Sequence, residues 1–130
     1  MASWVKAVRT LIAAATSNAA GGTTRGTVDL RTASGGMLTI KITNGSTGPT
    51  AVAIANVLVA HNAGSTPSAA SAGTDWKTIT SFNCTTTNSQ IHEFAVSIPD
   101  GVMHLEVEVT NNTGNAVLAE SFLSEKSSFA

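Results

Sequence analysis

Three side chains able to hold a metal ion fall on one face of a single predicted strand. His104, Glu106 and Glu108 alternate there with Leu105, Val107 and Val109. Neighbours on one strand face stand about 7 Å apart, whereas one ion needs its donors within about 2–2.6 Å. A straight strand does not bring them together, so the spacing predicts a solvated outer face and no metal centre. His92 beside Glu93 reads as a strand-edge histidine rather than a general base. Cys84 is the single cysteine and has no histidine near it in sequence; such a residue usually packs as a small apolar group.

Other catalytic patterns are weaker still. No G-x-S-x-G nucleophile elbow occurs. The run Gly21-Gly22-Thr23-Thr24-Arg25-Gly26 lacks the lysine of a phosphate loop. Asn44-Gly45-Ser46, Asn83-Cys84-Thr85 and Asn111-Asn112-Thr113 fit the glycosylation pattern, but a chain rich in Asn, Ser and Thr contains such triplets by chance. Trp76, after Gly73-Thr74-Asp75, is the residue to weigh as a saccharide platform. With two Trp and no Tyr in the chain, core or rim packing is the stronger expectation. These residues predict no enzyme, no cofactor and no metal.

The elements around them are strands. Leu38, Ile40 and Ile42 alternate with Thr39, Lys41 and Thr43, the period of a half-buried strand. Val52 to Ala60 is apolar apart from Asn56 and predicts a strand covered on both faces. His61 to Asp75 reads as a long Ser/Ala/Gly/Pro loop. Trp76, Thr78, Thr80 and Phe82 make a further alternating set. His92, Phe94, Val96 and Ile98 lead into Pro99-Asp100-Gly101, then Val102 to Thr110 returns, which predicts a hairpin. With Thr27 to Leu30 and Ala116 to Leu123, the expected fold is all-β: an antiparallel β-sandwich of about seven or eight strands, jelly-roll-like, over 23–130.

The leading segment, 1–22, differs. Trp4, Val8, Leu11, Ile12 and Ala15 recur at three- and four-residue spacing, the stripe of an amphipathic helix. The segment is expected to form an N-terminal arm or short helix that docks on its own domain or on a neighbour. Its apolar run behind Lys6 and Arg9 is too short for a signal peptide, and no stretch is long enough for a membrane helix. Burial of Trp4, Val5, Val8, Leu11 and Ile12 would contribute roughly 7–15 kcal/mol. Ordering a dozen residues costs about 12–24 kcal/mol, so the arm needs a docking surface.

Composition narrows the function. The 130 residues suffice for one domain. Only 12% are charged and the net charge is −1, which argues against a nucleic-acid partner. Small neutral residues stand where a free monomer would carry ions, an exterior suited to being covered by other molecules.

Trp4-Val5-Lys6, Arg25-Gly26-Thr27-Val28-Asp29-Leu30-Arg31, the run Ile42 to Thr50 and Thr74-Asp75-Trp76 together resemble small virion proteins of tailed bacteriophages. The similarity is to capsid decoration, or cement, proteins built on a jelly-roll-like sandwich. It implies a non-enzymatic subunit made in the host bacterial cytoplasm that binds the outer surface of the capsid. Its partner would be the major capsid protein, in a homo-oligomer or multi-copy assembly, with neither nucleic acid nor membrane involved. Docking would fall to Trp4, Val5, Val8, Leu11 and Ile12, with loop contacts from Pro49, Pro67 and Trp76. The alternatives are a neck, tail or fibre component and a carbohydrate-binding β-sandwich module.

Overall fold

A strand with one apolar face must bury it, and two sheets laid face to face bury both at once. The computed structural model describes residues 4–61 and 76–129, with side chains through Ser127. The predicted 61–75 loop, including Pro67, lies outside them apart from its first residue. The described residues form eight strands: β1 (Trp4–Asn18), β2 (Thr24–Asp29), β3 (Ser34–Asn44), β4 (Ile54–Ala60), β5 (Trp76–Asn83), β6 (Ile91–Ser97), β7 (His104–Thr110) and β8 (Val117–Phe129). They pair antiparallel in two four-stranded sheets, a first of order β1-β8-β3-β6 and a second of order β2-β7-β4-β5. First pairs with last, second with seventh, third with sixth and fourth with fifth, so the sandwich is a jelly roll.

The core lies between the sheets. Leu38, Ile40 and Ile42 of β3 and Val117, Ala119 and Leu123 of β8 meet Ala55 and Val57 of β4 and Leu105, Val107 and Val109 of β7. Phe82 and Phe94 stack across the layers with ring centroids 4.6 Å apart. β4 is buried on both faces as its apolar run predicts, Leu58 and Ala60 packing outward with Trp76.

Two expectations are corrected. The leading segment is strand β1, paired with β8 from Trp4↔Phe129 to Asn18↔Val117. The register shifts three times along the pair, and Ala15 adopts φ 58°. These irregularities break the period of two and leave apolar residues at spacings that imitate a helix. A strand with a long partner gains ladder hydrogen bonds that an undocked helix of this length cannot match. The middle of β1 also packs against β2 of the second sheet, where the Leu11 carbonyl oxygen comes too close to Gly26 for a Cβ to fit.

The hairpin is also absent. β6 pairs with β3, and β7 pairs with β2 and β4. Pro99-Asp100-Gly101 carries the chain from one sheet to the other. Each strand has its own apolar face, and facing sheets satisfy both as well as a hairpin would.

Candidate functional site

The two outer faces of the sandwich differ in chemistry, and they are where a partner would touch. On the first sheet, register aligns Val8, Ser124, Met37 and Ser97 in one row and Thr10, Phe122, Thr39 and Ala95 in the next. A further row carries Leu118, Thr43 and Ile91. Val8 is 68% exposed, and Met37, Leu118 and Ile91 are exposed as well. The charges here are Lys41, between Glu120 and Glu93 in register, and Lys6 opposite Lys126. A depression of about 110 Å³ is lined by Ala15, Lys41, Thr43, Leu118, Ala119 and Glu120. Short neutral and apolar side chains fill the rows between these charges.

At the β1 end of this sheet Trp4 is 46% exposed, with the Lys126 ammonium 5.5 Å from its ring centroid. Trp4 borders a shallow hollow of about 310 Å³ with Arg31, Thr32, Ala33, Ser34 and Ser127. Arg31 grips Asp29 through Nε and Nη2, the closest contact 2.6 Å. That guanidinium, with a backbone hydrogen bond from Arg31, holds the exposed Asp29 carboxyl well below the usual carboxylate range.

The outer face of the second sheet is built from long polar side chains that bond to one another. Arg25, Glu108, Asn56 and Ser81 sit opposite one another on β2, β7, β4 and β5. Arg25 Nη2 lies 3.0 Å from Glu108 Oε2, Asn56 Nδ2 donates to Glu108 Oε1 at 3.0 Å, and the Ser81 hydroxyl donates to Asn56 Oδ1 at 2.6 Å. In the adjoining row Glu106, fully buried, lies between Thr27 and Leu58. Burial pushes its carboxyl up to about 7, against the pull of Arg25 and with Glu108 adding to the rise. The third row holds Trp76, whose ring meets His104 edge-on at 6.5 Å.

No protein family and no curated protein matches the sequence. Solved structures do match in three dimensions. A cleaved adhesin domain of Lys-gingipain from Porphyromonas gingivalis is 12% identical, with TM-score 0.58, covering 83% of this chain and 71% of that one. PirA is 14% identical, with TM-score 0.53 and 92% of both chains covered. The infectious bursal disease virus VP2 subviral particle is 12% identical, with TM-score 0.50, over 93% of this chain and 32% of that one. The likeness is one of fold. The chain is a β-sandwich of a kind found in viral and adhesin proteins alike.

The structure divides the predicted docking residues. Trp4, Val5 and Val8 are exposed on β1, whereas Leu11 and Ile12 belong to the core. Pro49 is buried in its own chain. Trp76 is buried against Leu58 and Ala60, so its face is closed to a sugar. Pro67 lies outside the described residues. Among the described residues no cluster of His, Cys, Asp and Glu is arranged to hold a metal ion. Cys84 is buried, and burial pushes its thiol up to about 11, which leaves it a poor nucleophile.

The expectation of a solvated Glu106 and Glu108 is corrected. Both point outward from the core, yet both are buried, Glu108 at 3% exposure. Flanking strands on both sides supply the cover, because β7 is central in its sheet. The one available signal was Asn56 inside an apolar run, a polar residue that needs a partner. Finding that partner requires the register of β4 against β7. His92 is likewise fastened, its Nδ1 3.0 Å from the Ile42 carbonyl oxygen and its Nε2 accepting from the Thr85 amide at 2.9 Å.

Proposed function

We propose that this chain is a non-catalytic structural subunit of a tailed-bacteriophage virion that binds the outside of the capsid and cements neighbouring major capsid proteins. The observation that supports this reading most is the outer face of the first sheet, where exposed Val8, Met37, Leu118 and Ile91 lie among short neutral side chains. The apolar atoms of such a face gain when covered, and its short neutral side chains lose less on desolvation than ions would. Trp4 and Val5 extend the apolar edge along β1. A partner covering about 800 Å² of this surface would make a standard-sized interface. Modest contacts repeated over many copies would then brace a shell through avidity rather than through a single tight site.

The test is to add the purified chain to capsids that lack it and measure bound copies against the major capsid protein. Saturable binding at a fixed stoichiometry, abolished by Val8→Glu combined with Leu118→Glu, supports the reading. Copies at only one vertex would place the chain at the neck or tail instead. No binding to assembled particles would sink the proposal.

A further inference from the structure

Glu106 is a buried acid with too few partners. Its side chain is 0% exposed. Oε1 accepts from the Thr27 hydroxyl at a long 3.4 Å, and Oε2 has no hydrogen-bond partner. A carboxylate in that position would be a poorly compensated buried charge, which proteins avoid by keeping the group protonated. From β2 it faces Arg25 and Asp29, and from its own strand Glu108 and His104. From β4 it faces Asn56 and Leu58, neither ionisable, and Thr78 stands beyond Leu58 on β5. Arg25 favours ionisation but is ion-paired with Glu108, and Asp29 is ion-paired with Arg31. Burial outweighs the remaining attraction.

The neighbours differ in how readily they can yield. β7 and β4 hold the centre of the sandwich, with Leu105, Val107, Val109, Ala55 and Val57 fully buried. β2 is six residues long, lies at the sheet edge and, among the described residues, pairs with β7 alone. It also supplies both Thr27 and Arg25.

We propose that Glu106 is a proton-operated latch for β2: with its carboxyl protonated the strand lies closed on β7, and loss of that proton to solvent loosens the strand so that water reaches the carboxylate. The sign follows from linkage. Below the ordinary value of 4.5 both closed and opened states are protonated, so pH has no effect through this group. Between 4.5 and about 7 the opened state gives up a proton that the closed state keeps, so closure weakens as pH rises. Above about 7 both are ionised and the loss levels off. The subunit is therefore tightest in mild acid and loosest in mild alkali, independently of what it binds.

The experiment uses the full chain at pH 5 and pH 8. Urea unfolding should show the unfolding constant rising by tens of fold between the two, after subtraction of the same change in Glu106→Gln. That variant removes the group while leaving all other titrating residues in place. Amide exchange, corrected for intrinsic rates, should show β2 opening faster at pH 8 than β3 or β8 do. If the variant fails to fold, carbon-detected NMR of the wild-type glutamate carboxyls reads the titration directly. A buried carboxyl titrating near 7 with β2 exchange rising in step supports the latch. A Glu106 titration near 4.5, or a Glu106→Gln variant that keeps the wild-type pH slope, overturns it.

Discussion

The outer faces of the two sheets have the same strand alternation and opposite characters. On the first sheet exposed Val8, Met37, Leu118 and Ile91 stand among Ser, Thr and Ala, with Lys6, Lys126, Lys41, Glu93 and Glu120 interspersed. On the second sheet Arg25, Glu108, Asn56 and Ser81 reach sideways and bond into one band. Outward-pointing and solvent-exposed are therefore separate properties. A central strand with long side chains and long neighbours buries its outward face under its own sheet. Charge in this protein is largely used internally: among the described residues Arg9, Arg25, Arg31 and Lys126 are each ion-paired within the chain.

The contrast can be broken by substitution. Arg25→Ala should cost the most, about 3–5 kcal/mol in urea unfolding, because it strips a buried carboxylate of its cation. Lys41→Ala, at the matching place on the first face, should change stability by under about 0.5 kcal/mol. Equal losses would mean that the band on the second sheet has no special role.

Next, Leu11→Ala should cost about 2–4 kcal/mol by leaving a cavity, and Val8→Ala, three residues earlier on the same strand, under about 0.5 kcal/mol. This pair locates the boundary along β1 between the part that belongs to the core and the part exposed on the surface. Trimming the chain before Val8 should accordingly leave a folded sandwich, and trimming past Ile12 should not.

At pH 8 Glu106→Gln should stabilise the protein by about 2 kcal/mol, with the gain shrinking towards pH 5. Glu106→Leu, placed beside Leu58 in register, should do the same if removal of the buried charge is the cause. A comparable gain from Glu93→Gln on the first sheet would erase the distinction between the faces.

A small stability effect is expected for the double change Val8→Glu with Leu118→Glu, under about 1 kcal/mol in melting or urea measurements. The same pair should nevertheless eliminate particle binding. Loss of stability in proportion to loss of binding would mark these positions as part of the fold.

Alternation in β3, β6 and β7 and the apolar run of β4 were legible because a strand's period depends only on its own residues. Those patterns determine an all-β sandwich with a large aliphatic core and few ionic groups outside it. The β1 strand was not legible, since bulges shift its register and its partner β8 lies at the far end of the chain. The supposed hairpin failed for a related reason: adjacency in sequence does not say whether two amphipathic strands share a sheet or face one another. The setting of Glu106 and Glu108 depends on which side chains flank them from β2 and β4. Residues more than 45 positions apart settle that, and only long-range register brings such residues to hydrogen-bonding distance.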